Sequence, residues 1–285
     1  AILSFEFEDG TVSFLKAMPP LTMASGRASL GEKRFTLVLD EGQVDAGSSG
    51  IMNAAGSVFT VPDTRPIPAT GQIDIRAEGP LEAALTVLNE PPLRIMDRAE
   101  RTPDLADATA RAEARITMPL KDKIRREEVD YRIEATLREV SSDRIVAGRA
   151  LTSEKLEMWA TTEEIRLEGP FLLDGAPIRA TWHQPLGAAA AEGGGIEGFI
   201  ALSDATLDAL DIPLPEGMIA GRGTGQFQLD LPRDEPPRLA LQSDLSGLEV
   251  AIPGLGWSKP ASQTGGFELS AVLSEVPVVE ALSLS

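Results

Sequence analysis

The sequence predicts a mainly β fold, an elongated and curved antiparallel meander with two short helices. Three observations carry that expectation. Between residues 106 and 182, Ala108, Ala110, Ala112, Ala114, Ile116 and Met118 alternate with Thr109, Arg111, Glu113, Arg115 and Thr117. Side chains on a strand point to opposite faces with period two, so this segment builds one apolar and one charged face. Second, the 285 residues include 26 Gly and 21 Pro, as in a chain built from turns. Third, helical period occurs at only two places, and a long alternating segment follows each. That weak repeat suggests a quasi-repetitive, elongated sheet rather than a closed globule.

Taken in order, Leu3, Phe5 and Phe7 share one face of a first strand, which Asp9-Gly10 is expected to turn into residues 11–15. Pro19-Pro20 interrupts the next connection, because proline cannot donate to a ladder. Strands follow at 21–28 and around Phe35, Leu37 and Leu39. Glu41-Gly42 is expected to turn the chain into 44–46. Residues 58–61 and the set Ile73, Ile75 and Ala77 resume the extended pattern.

The first helix is expected near 80–89. Pro80 suits a first helical position, Leu81, Leu85 and Leu88 form one stripe, and Pro91-Pro92 stops it. After the 108–118 strand, Val129, Tyr131, Ile133, Ala135 and Leu137 alternate with Asp130, Arg132, Glu134, Thr136 and Arg138. Beyond a turn at 141–143, short strands are expected at 145–150, 156–160, 165–167, 171–173 and 178–182. The second helix is expected over 203–210, capped by Ser203 or Asp204 and stopped by Pro213. Residues 217–231 read as one long strand, and strands continue to the last residue. The Gly- and Ala-rich run 187–195 reads as a flexible loop or soft boundary between segments 1–186 and 196–285.

The totals exclude several functions. There is no Cys, which removes thiol catalysis and cysteine-ligated zinc. The net charge of −18 opposes nucleic acid and anionic lipid headgroups, whose binding needs Lys and Arg patches. No apolar run approaches the roughly 20 residues that span a bilayer. The alternating pattern is already under way at residue 1 and still running at residue 285, so a fragment of a longer protein is expected.

Catalytic motifs are incomplete. Ser13-Phe14-Leu15-Lys16 matches S-x-x-K, but on a strand Ser13 and Lys16 point to opposite faces, and the partner motifs S-D-N and K-T-G are absent. His183, the only histidine, should face away from Ile178, Ala180 and Trp182, beside Arg179 and Thr181, exposed near a strand end. Gly221-Arg222-Gly223-Thr224-Gly225 is not G-x-G-x-x-G, and glycines that bend or start a strand explain it. Adjacent acids such as Glu127-Glu128 and Glu163-Glu164 are expected by chance among 44 acidic residues. No enzyme activity, metal or cofactor is expected.

The informative signal is apolar. Ala110, Ala112 and Ala114 make a face of small residues, as if something must approach closely, and Ile116, Met118, Tyr131 and Ile133 continue it. Leu156 and Met158 belong to the same candidate surface. Two readings fit this face: the inner layer of a β-sandwich, or a curved apolar trough closed by ligand.

The run from Leu248 to Pro260, Leu-Glu-Val-Ala-Ile-Pro-Gly-Leu-Gly-Trp-Ser-Lys-Pro, with Asp244-Leu245-Ser246-Gly247 before it, resembles a stretch of AsmA-like proteins of the YhdP type from Gram-negative bacteria. Gly10-Thr11-Val12-Ser13-Phe14, Gly79-Pro80-Leu81, Met118-Pro119-Leu120 and Leu173-Asp174-Gly175-Ala176-Pro177 are similar too. The resemblance implies a middle section of a periplasmic protein anchored in the inner membrane. It implies a taco-shaped sheet whose groove carries phospholipid acyl chains between inner and outer membranes, reached through terminal regions that this chain lacks. An envelope scaffold with a closed sandwich core, binding other envelope proteins rather than lipid, is the alternative. No catalytic residues transfer.

Overall fold

A computed structural model describes every residue except 1, 14–16, 216, 253–255 and 275. Phe14 to Lys16 of the S-x-x-K match therefore lie outside the described residues, as do Pro253 to Leu255 of the resembling run. The chain forms two compact units. The first comprises Ala1–Ile145 with Glu157–Thr162, and the second Val146–Leu156 with Glu163–Ser285. The stretch 187–195 lies inside the second unit. There it forms a 3-10 segment, Gly187–Glu192, followed directly by a strand.

The first unit is one antiparallel meander. Its strands are β1 Leu3–Val12, β2 Leu21–Leu30, β3 Phe35–Asp45, β4 Ile51–Asn53, β5 Val58–Val61 and β6 Thr70–Pro80. Helices α1 Leu81–Asn89 and α2 Ile95–Arg98 precede β7 Asp107–Pro119 and β8 Asp130–Ser142. Strand β9, Leu151–Thr161, divides between the units.

The mainly β antiparallel meander is as expected, with helices at both expected places. Several boundaries differ. Asp9, at φ 51°, makes a bulge rather than a turn, so β1 continues through it with a register shift between Phe7 and Gly10. Strand β3 likewise runs straight through Glu41-Gly42, absorbing a register shift against β2. A bulge supplies the bend that a turn was expected to make. Pro80 caps α1 rather than opening it, with an extended ψ of 138°. The four-residue α2 was not expected. It is too short to show a stripe and is fastened by buried Met96.

In the second unit β10 Glu164–Leu173, β11 Ala176–Pro185 and β12 Gly194–Leu202 continue in meander order. Helix α3, Asp204–Ala209, follows, with Ser203 Oγ accepting from the Thr206 amide at 3.3 Å. Then come β13 Ile219–Gly221, β14 Gly223–Leu231, β15 Arg238–Ser243, β16 Leu248–Ile252, β17 Trp257–Lys259, β18 Phe267–Val272 and β19 Val278–Leu284. The main sheet takes β10, β11, β12, β14, β15, β18 and β19, while β13, β16 and β17 form a separate three-stranded sheet.

Residues 217–231 are thus two strands in two sheets, not one. Gly221, at φ 91°, breaks them where a Cβ would collide with the Gly247 carbonyl oxygen. Residues 145–148 are turn and 149–150 irregular, rather than strand. There Arg149 bonds Asp174 at 2.9 Å and the Ala209 and Leu210 carbonyls at 3.1 and 3.0 Å, which holds the C-terminal end of α3.

Each unit covers one end of its apolar face with its own chain. In the first, α1 packs Ala83, fully buried, against Val44, Met52 and Ala77. In the second, Leu248 and Val250 of the small sheet pack with Leu245 against Leu202, Phe267 and Leu284.

Candidate functional site

The pairing registers of the first unit line up one apolar row across seven strands. Phe5 opposes Ala28, Ala28 opposes Leu37, Leu37 opposes Phe59, and Phe59 opposes Ile73. Ile73 opposes Ile116, which opposes Tyr131. The rows beside it are Ile75–Ala114–Ile133, Ala77–Ala112–Ala135 and Gly79–Ala110–Leu137. The opposite face is charged. Arg115 bonds Asp74 at 2.6 Å, and Arg76 lies 3.6 Å from Glu113.

Of the nine expected residues, Ala112, Ala114, Ile116, Met118, Tyr131 and Ile133 share this face and are half-buried. Ala110 is not an open groove position. It is 5% exposed, at the end of the face where α1 packs on β6 and β7. The close approach that the small residues require is therefore made, at this end, by the chain's own helix. Leu156 is buried and belongs to the second unit's part of β9, whereas half-buried Met158 belongs to the first. Leu156 packs over Gly169, where a Cβ would come within 2.8 Å of it.

The second unit builds a comparable face that the sequence reading did not single out. Leu167, Trp182, Ile196, Leu229, Leu239, Ala271 and Val279 oppose one another in turn across its seven main strands. The signal was present, since each strand alternates, but a row becomes visible only when strands are registered against one another. His183 lies on the other face as expected, opposite Arg166 and Gly195, but half-buried rather than exposed, because its ring lies against Gly195.

Burial separates a closed layer from an open one. A sandwich interior buries large side chains completely. Among the described residues, Leu248 is the one large side chain that is fully buried. Two separate globules of half this 30.3 kDa mass would together expose about 14,000 Å², whereas the chain exposes 17665 Å². The apolar faces are partly open to solvent.

Electrostatics places a charge at one margin of the first face. Burial pushes the Tyr131 phenol above its usual range, and the nearby Arg126 guanidinium partly opposes that. The Lys121 ammonium and the Arg125 amide and guanidinium hold the Glu128 carboxyl down to about 2. Asp74 loses charge stability to burial but gains more from Arg115 and Gln72, so its net shift is downward. No His, Asp and Glu grouping able to hold a metal occurs among the described residues.

Comparison with family models finds no match, and neither the curated proteins nor the solved structures contain one.

Proposed function

We propose that this chain is a non-catalytic segment of a lipid-conducting groove of the Gram-negative envelope, lodging phospholipid acyl chains on its apolar faces between inner and outer membrane. The observation that supports this most is the half-buried state of Ile116, Tyr131, Ile133 and their row neighbours. A wet apolar face of this extent calls for a partner. An acyl chain laid along it gains about 0.8 kcal/mol per methylene removed from water. The charged outer face keeps the protein in solution in the periplasm while the inner one is filled.

The resemblance of Leu248–Pro260 to AsmA-like proteins supports the same reading. The experiment is lipid extraction from purified protein followed by mass spectrometry. Copurifying phospholipid is expected, and Ile133→Asp should remove it while leaving the circular dichroism spectrum intact. Protein that folds normally, carries no lipid and takes none from donor vesicles would reject the reading. Capture of extended peptides along the open edge of β1, where Leu3 and Phe5 are exposed, would favour an envelope scaffold instead.

A further inference from the structure

We propose that the edge of the first unit's sheet away from α1 is a headgroup site that selects net-negative phospholipids through their phosphate. This rests on the groove reading above and names the lipid class that groove takes.

Three connections meet at that edge: residues 31–34 between β2 and β3, 62–69 between β5 and β6, and 120–129 between β7 and β8. They are tied together, since the Thr64 amide donates to the Lys33 carbonyl at 2.8 Å and the Leu120 amide to the Ala69 carbonyl at 2.8 Å. In a chain of net charge −18 these connections hold seven Lys and Arg against five Asp and Glu. The β6–β7 connection at the opposite edge, residues 81–106, holds three Arg against five acids. Basic residues gather at the edge away from α1.

Three of the seven are already used: Arg65 on Asp63 at 2.5 Å, Lys121 on Glu128 at 2.6 Å and Arg125 on Glu127 at 3.3 Å. Lys33, Arg34, Lys123 and Arg126 are exposed and have no ion pair within 4 Å among the described residues, although Lys33 acts at longer range on the Asp63 carboxylate. The apolar face runs directly into this rim. The Leu120 side chain folds over Gly71 beside the Phe59 ring, so close that a Cβ on Gly71 would lie 2.7 Å from Leu120 Cδ2 and 3.1 Å from Phe59 Cε2. Arg126 acts electrostatically on Tyr131, which belongs to the seven-strand row.

A phospholipid has this same layout, with acyl chains joined to an anionic phosphodiester. Zwitterionic headgroups carry a compensating ammonium that these cations repel, whereas phosphatidylglycerol carries none. The protein's overall negative charge does not cancel the preference. Exposed charges more than about 8 Å apart are screened at physiological salt, so the local rim governs.

The test loads the full chain from vesicles of equimolar phosphatidylglycerol and phosphatidylcholine with matched acyl chains, then extracts the bound lipid. Phosphatidylglycerol should be enriched about fivefold, the attraction of roughly one lysine or arginine for an anionic lipid. The enrichment should fall to the donor ratio in Lys123→Glu/Arg126→Glu and at high salt, with total lipid bound unchanged, while Arg101→Glu at the opposite edge keeps it. Lipid bound at the donor ratio by the parent protein would overturn the headgroup site and leave the groove standing. No bound lipid at all would overturn both. Inorganic phosphate binding as tightly as the lipid would overturn it by making the rim a free-anion site.

Discussion

Lys259 donates from Nζ to the carbonyl oxygen of Leu248 at 2.8 Å, and to that of Pro260 at 3.1 Å. Lysine and leucine are 4% and 0% exposed, so an ammonium is spent inside a core on backbone acceptors. Replacing it by an apolar chain of similar length would take this donor from the buried Leu248 carbonyl, while the Pro260 carbonyl keeps the Gln263 amide at 3.1 Å. Lys259→Met should therefore destabilise the second unit by about 1–3 kcal/mol. Leu248→Ala should cost about 3 kcal/mol through loss of packing and the cavity left behind. Urea denaturation measures both, and neutral variants would show that the small sheet does not cover the main one.

Ile133 and Ala110 lie on the same apolar face in different surroundings. Ile133→Asp should keep the fold, because a half-buried side chain can turn its carboxylate to water. Ala110→Glu would bury an unpaired charge where α1 packs and should cost at least about 3 kcal/mol. Thermal melts of the pair check this. Equal destabilisation would indicate a closed layer over the whole face.

Arg149 clamps Asp174, Asp211 and the end of α3. The Ala150 amide, followed by Arg149, holds the Asp174 carboxyl below its usual range. A carboxyl lowered on folding adds stability that is complete above its unfolded value and is lost as pH falls through its folded one. The melting temperature should decline with acid below the ordinary aspartate range. Asp174→Asn should flatten that decline, and Arg149→Ala should lower the melting temperature at neutral pH.

Glu128 gives a second acid-sensitive point. With Lys121 and Arg125 holding it down to about 2, its charge should persist well below the usual glutamate range. Titration of its side-chain carboxyl by NMR should show the shift, and Lys121→Ala should move the midpoint upward. Protonation from pH 4 towards 2 should loosen residues 120–129 before the sheet melts.

The faces of individual strands were legible in the sequence because alternation is local. Ile116 and Arg115 must point opposite ways on any strand. The bulge at Asp9 and the break at Arg222 were less legible, since a left-handed aspartate or a glycine serves a turn, a bulge or a strand end equally well. Residues 145–150 read locally as a strand and are not one. The connection is held by Arg149, whose partners lie 25 to 62 residues further on.

By itself the sequence determined the β class, the two main helix positions and which side of each strand is apolar, because those depend on neighbours within a turn or two. Tertiary structure alone decided that α1 covers Ala110 while Ile133 stays half-open, and that Phe5 and Tyr131 fall in one row. It also decided that Lys33 and Arg126 stand at one edge. Cover, row and rim are set by pairing between distant strands, and no local spacing encodes which strand will lie beside which.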